Sequence, residues 1–171
     1  MITIRAERPA DRDAIFRLNA AAFGRTDEAI LVDRLRDACP ACISLVAADE
    51  SRIVGHIAFS PVLLEPAGER PLTGMALAPM AVEPARQRSG IGSELVRGGL
   101  DAVEQLSTPF VVVLGHPNYY PRFGFVPASR YGIRCPWPAP DEAFMIRVLG
   151  AHRLPEGGGT TRFRPEFDGV T

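Results

Sequence analysis

The residues whose type and spacing most directly suggest chemistry in this 171-residue chain are two glycines, Gly90 and Gly92, in the stretch "RQRSGIGSEL" from Arg86 to Leu95. They follow the apolar run "MALAPMAV" (Met75 to Val82) after only Glu83, Pro84 and Ala85. Glycine costs about 1 kcal/mol against alanine in a helix interior, so a glycine pair where a helix begins asks for a reason. A helix start presents N–H groups that lack intrahelical partners, and the macrodipole adds partial positive charge there. Two glycines at such a place let a phosphate reach the backbone without meeting a β-carbon. The alternative is that they allow close packing of the helix on a sheet.

Other nucleotide-binding patterns are excluded by the neighbouring residues. A dinucleotide fingerprint needs a third glycine where Leu95 stands, and an acid at the end of the next strand, where the chain has Gly115 and His116. All nineteen basic residues are arginine, so no lysine exists to act as a phosphate clamp, Schiff base or catalytic base. Three cysteines, Cys39, Cys42 and Cys135, form an odd set that argues for reduced thiols. Cys39-Pro40-Ala41-Cys42 has C-x-x-C spacing but closes a helical pattern instead of opening one, so it reads as a turn. No ligand spacing links Cys135 to His56, His116 or His152, and no metal is expected.

The elements that must position the glycine turn can be read from periodicity. "ITIRAE" alternates as a strand; Ile15, Leu18 and Ala22 share one face of a helix; Thr26 can cap a second helix carrying Ile30, Leu31 and Leu35. "ISLVAAD" and "RIVGHIAFSPVLLE" flank a hairpin at Glu50-Ser51, and "TGMALAPMAV" follows as a further strand. From Ser89 the positions Ile91, Leu95, Val103 and Leu106 make one apolar helical face, ended before Pro109. "FVVVLG" is a β-branched run suited to a strand buried on both faces. Returning after a helix, it should run parallel to the strand ending at Val82 through a right-handed crossover. "AFMIRVLG" reads as one more strand, and "CPWPAP" as a rigid surface connection. The expected fold is α/β, a mixed sheet with a central parallel pair and flanking helices, in a single domain over residues 1–171.

Composition narrows the partners. A net charge of -1 and a pI near 6.3 remove any global electrostatic case for nucleic acid. No run approaches the roughly 20 apolar residues of a membrane span, and the first residues hold no signal-peptide core, so the expected compartment is cytoplasmic.

"LAPMAVEPARQRSGIGSELV" resembles the acetyl-CoA-binding core of the GCN5-related N-acetyltransferases (GNAT), with pattern Q/R-x-x-G-x-G/A at Gln87, Arg88, Ser89, Gly90, Ile91 and Gly92. "NYYPRFGF" is similar to the family's F-Y-x-x-x-G-F element, with Tyr119 at the aromatic place, Tyr120 at the tyrosine and Gly124-Phe125 closing it. "GHPNYYPRFGF" looks like the YhbS-like subgroup of acetyltransferases, and the likeness runs from "RPADRDAIFRLN" to "RFRPEF".

The resemblance implies acetyl-CoA as acyl donor, its pyrophosphate held by the backbone of Gln87 to Ser93 and its pantetheine arm by the main chain of Met80, Ala81 and Val82. It also implies that this strand splays from the next near Pro79, and that the Tyr120 phenol stands near the sulfur to hydrogen-bond or protonate the departing thiolate. The acceptor's ammonium must lose a proton first. His116, at the end of the buried strand, can titrate near neutrality and is the candidate base, with His56 and Glu28 as lesser ones. The activity so implied is direct acetyl transfer to a primary amine, in a small molecule or a peptide. A non-catalytic acyl-CoA-binding or sensor domain is the alternative, and an arginine-rich interaction module a weaker third. The sequence sets neither the acceptor nor the oligomeric state, a homodimer being left open.

Overall fold

Alternating apolar residues and glycine- or proline-bearing turns fold the chain into a mixed α/β structure. The computed structural model describes residues 1–170. In chain order the elements are β1 (Ile2–Ala6), α1 (Arg12–Phe23), α2 (Asp27–Ala38), β2 (Ile43–Asp49), β3 (Arg52–Glu65), β4 (Leu72–Val82), α3 (Ile91–Glu104) and β5 (Phe110–Leu114). Shorter strands follow: β6 (Val126–Pro127), β7 (Ile133–Arg134), β8 (Phe144–Val148) and β9 (Gly159–Arg162). The described residues divide into two compact units, one made of residues 1–60, 78–102 and 165–170, the other of 61–77 and 103–164. Strands β3 and β4 and helix α3 each contribute residues to both.

In the first unit β1 pairs antiparallel with β2, Ile4 opposite Ala47, and β2 antiparallel with β3, Val46 opposite His56. Successive residues of a strand point to opposite faces, and β3 uses this to gather helices on both. His56 points toward α1, where Asn19 meets its ring, whereas Gly55 and Phe59 point toward α3. A β-carbon at Gly55 would lie 2.9 Å from Leu95 Cδ1, and one at Gly99 only 2.2 Å from the Phe59 ring. The unit is therefore three layers, with Ile15, Val32 and Val46 forming a core on the α1–α2 side.

In the second unit β4 and β5 form the parallel pair expected from the sequence, through Met75↔Val111 and Ala76↔Val112. β8 then runs antiparallel to β5 and β6 antiparallel to β8. The core comprises Val62, Leu64, Phe110, Val112, Phe144 and Ile146 among others. A second parallel pairing, β7 with β9, was not legible in the sequence: each strand is too short for periodicity to register.

Two local expectations differ. Thr26 occupies the N-cap of α2, but its side chain makes no capping hydrogen bond. Leu106, read as part of the apolar face of α3, lies beyond the helix end at Glu104 and is 58% exposed. Among the described residues no helix is long and apolar enough to cross a membrane.

Candidate functional site

The segment from β4 to α3 builds the site in the first unit. The Ala78–Pro79 peptide is cis, and Met80, Ala81 and Val82 follow as the last residues of the strand. Within this unit β3 is their one strand neighbour among the described residues, so one edge of the Met80–Val82 main chain has no strand partner. Glu83 N–H donates to Val54 O at 2.9 Å, closing the β3 side. Pro84–Arg86 make a single 3-10 turn, and Arg86 N–H donates to Glu83 O at 2.8 Å.

The chain then turns sharply into α3. Arg88 has φ 62° and Gly90 φ 93°, both in the left-handed region, which is uncommon for a residue with a side chain. The helical ladder is entered by Glu94 N–H donating to Gly90 O at 3.1 Å. The N–H groups of Gly90, Ile91 and Gly92 therefore precede the ladder and have no intrahelical acceptor. Residues 87–90 are exposed, Ile91 is buried beneath them, and Gly92 and Ser93 are half-buried. Ser89 Oγ donates to Arg86 O at 2.5 Å and Gln87 Nε2 to Val82 O at 3.2 Å, so these two side chains brace the turn. The exposed turn therefore carries the Arg88 side chain and two left-handed residues directly ahead of the helix.

The packing explanation for Gly90 does not hold. A β-carbon built there would meet nothing within 4 Å, unlike one at Gly99. Close helix–sheet approach is served instead by Gly98 and Gly99 in mid-helix, a pair the sequence reading passed over; two adjacent glycines inside a helix were the available signal.

The second unit holds the aromatic element. Tyr120 opens a short 3-10 turn, Tyr120 to Phe123, after β5, and is 6% exposed. Its ring meets Tyr119 edge-on at 5.1 Å and Phe125 at 5.7 Å. Gly115 allows this seat, since a β-carbon there would stand 2.5 Å from Tyr120 Cε2. Burial, with a smaller contribution from Tyr119, raises the phenol's pKa well above its ordinary value, so Tyr120 is protonated at neutral pH. His116 is exposed, and its backbone O accepts from Tyr119 N–H at 3.1 Å. The sequence-predicted residues thus lie as two groups, Met80 to Ser93 in the first unit and His116 with Tyr120 in the second.

Two lesser base candidates are committed elsewhere. His56 is wholly buried: Asn19 Nδ2 donates to its Nδ1 at 3.2 Å, and its Nε2 lies 2.9 Å from Ser44 Oγ. Ser44 Oγ in turn donates to Glu7, which also accepts from Arg36 Nε. With the Ser44 hydroxyl donating to Glu7, its oxygen accepts from His56 Nε2–H while His56 Nδ1 accepts from Asn19, which is the neutral ring. Burial, reinforced by the Arg36 charge, lowers its pKa to about 3. Glu28 is clasped by Arg25, whose Nε lies 3.1 Å from both carboxylate oxygens. The relay of Glu7, Asn19, Arg36, Ser44 and His56, buried at Asn19 and His56 and half-buried at the other three, carried no sequence signal, its members being far apart in the chain. Cys39 and Cys42 form the expected turn, Cys42 N–H donating to Cys39 O at 3.2 Å. No group of three or more His, Cys, Asp or Glu that could hold a metal occurs among the described residues.

The chain is similar to known proteins in sequence and in fold. The family model described as acetyltransferase (GNAT) domain matches residues 3–128. The chain is 36% identical over 166 residues to the uncharacterized N-acetyltransferase YhbS of Escherichia coli K12, covering 96% of this chain and 98% of that one. The crystal structure of Escherichia coli YhbS in complex with CoA superposes with a TM-score of 0.90 at 34% identity, covering 99% of this chain and 93% of that one. A GNAT family acetyltransferase from Brucella melitensis, in complex with acetyl-CoA, gives 0.80 at 34% identity, with 98% and 99% covered. A match over most of the chain, on the strand, glycine turn and helix described above, places this protein in the GNAT acetyltransferase family.

Proposed function

We propose that this chain transfers the acetyl group of acetyl-CoA directly to a primary amine of a small molecule or peptide, acting in the cytoplasm with residues 1–171 as one catalytic domain. The observation that carries the reading is the turn before α3, where Arg88 and Gly90 are left-handed and the N–H groups of Gly90, Ile91 and Gly92 precede the helical ladder. Such a turn fits a pyrophosphate. The Escherichia coli and Brucella relatives with CoA and acetyl-CoA bound support this occupant.

In this account the backbone of Gln87 to Ser93 binds the pyrophosphate, and the open edge of Met80, Ala81 and Val82 takes the pantetheine amides as a strand would. The amine nitrogen forms a bond to the thioester carbonyl carbon and the carbon–sulfur bond breaks. The nitrogen gives up a proton, to His116 or to water through it, and the sulfur receives one. Tyr120 is the donor: burial keeps its hydroxyl protonated at neutral pH, so it can hydrogen-bond the departing thiolate and pass its proton to it. Continuity of β3, β4 and α3 through both compact units supports treating the chain as one domain.

A panel of amines, including polyamines, amino-acid amides and short peptides, tests the reading through acetyl-dependent release of free CoA. Release above the no-amine rate with at least one acceptor class is expected. CoA binding with no amine-dependent release across the panel would replace the enzyme by an acyl-CoA-binding domain.

A further inference from the structure

A cavity of about 420 Å³ opens in the first unit, lined by α1, by the β2–β3 turn and by the end of β4. We propose that it is a second ligand site, for a small organic acid with one carboxylate and an apolar body. Its volume falls within the usual range for small-molecule sites. α1 supplies Ala14, Leu18 and Ala21, and Ile53 and Pro84 stand with them in the lining. Residues three and four apart share a helix face, so the first three form one stripe of small and apolar surface.

The charges select the ligand's head group. Arg17, on the same helix, has no ion pair within 4 Å among the described residues, whereas Arg12 on that helix is held by Asp33 and Asp37. The cavity's second cation, Arg52, is neutralised by Glu83, which also lies 3.4 Å from Arg86. One uncompensated positive charge over apolar walls complements a monocarboxylate. A polyphosphate finds too little charge there, and an ammonium finds Glu83 already engaged.

Glu50 and Ser51 form the two-residue turn of the β2–β3 hairpin, Asp49 opposite Arg52, and this turn puts Ser51 and Arg52 in the cavity wall. Ser51, in the same lining, adds a hydroxyl donor for the carboxylate. The occupant also touches Glu83, whose backbone O accepts from Arg86 N–H at 2.8 Å, so it contacts the segment leading into the glycine turn.

The test is a ligand-observed NMR titration of the whole chain with 3-phenylpropanoate and 4-methylpentanoate, without any acyl donor, so that its outcome is independent of the acetyltransferase reading. Saturable binding is expected, about tenfold weaker for 4-methylpentan-1-ol and for Arg17→Ala, in line with loss of one charged hydrogen bond at an exposed site. Ala21→Trp, at an exposed helix position, should fill the cavity and abolish binding. CoA added at saturation should leave the probe bound. Failure to saturate, equal affinity in Arg17→Ala, or displacement of the probe by CoA would each overturn the proposal.

Discussion

Helix α3 carries glycines at both ends of its first two turns, and they answer to different physics. At Gly99 an added β-carbon would stand 2.2 Å from Phe59, and at Gly98 3.1 Å from Ile4 Cγ2; both residues let the helix lie against the sheet. At Gly90 the same carbon would meet nothing within 4 Å, and the backbone there is left-handed at φ 93°. One pair is glycine because the protein presses on it. Gly90 stands where the protein leaves space, just ahead of the helical hydrogen-bond ladder. At Gly90 the left-handed backbone itself favours glycine, and the open space beside it is what the proposed phosphate would use.

Tyr120 repeats the contrast inside one residue and gives the largest expected effect. Its ring is packed, seated on Gly115 and between Tyr119 and Phe125, while its hydroxyl is the proposed acid. Tyr120→Phe keeps the ring and should leave stability and CoA affinity nearly unchanged. Single-turnover acetyl transfer should fall by about 10²- to 10⁴-fold, the usual worth of a positioned acid. A chemical step as fast in the Phe variant as in the parent would reduce the whole residue to packing.

Gly99→Val should cost about 3 kcal/mol, since the Phe59 ring is fully buried and has nowhere to retreat. In a chain of this length that lowers Tm by roughly 6–12 °C. CoA affinity of the folded protein should persist. Selective loss of affinity with unchanged Tm would erase the distinction between the two ends of the helix.

Most polar groups divide the same way, into those satisfied internally and those left outward; Asn19 Oδ1, Arg36 Nη2 and Ser60 Oγ are buried without a partner. His56 belongs to the first kind, neutral within the relay of Asn19, Ser44 and Glu7. Its pKa falls from 6.5 in the unfolded chain to about 3 in the folded one, so below pH 6.5 the unfolded state takes up the proton first. Stability is therefore fully present above pH 6.5 and lost as pH falls toward 3, by at most about 1.4 kcal/mol per unit from this group. Urea unfolding at pH 7, 6, 5 and 4 reads that slope. His56→Leu should flatten it, and an unchanged slope would mean that other groups carry the acid sensitivity.

Much of this was legible in the sequence because it rests on periodicity. The strands ending at Val82 and beginning at Phe110, the β-branched run between Pro109 and Gly115, and the turn at Glu50-Ser51 all follow from local pattern. The turn into α3 was legible because a costly residue type stood where a helix begins; its use as a site is the proposal made above. What escaped depended on contacts distant in sequence. Nothing local marks Glu7, Asn19, Ser44 and His56 as partners, or tells that Gly99 faces Phe59. Leu106 was misplaced because the apolar spacing continued past Glu104, where the helix stops.

Titration calorimetry with CoA on the parent chain and on Gly92→Val tests the central claim most directly. The parent should bind CoA at one site, and at a hundred times the dissociation constant CoA should add about 2.7 kcal/mol of stability. Valine at the helix's second residue places a branched side chain in the phosphate's approach, so affinity should fall at least about tenfold while Tm without ligand changes little. No heat of binding in the parent, or equal affinity in both proteins, would contradict the assignment of this turn as the cofactor's phosphate site.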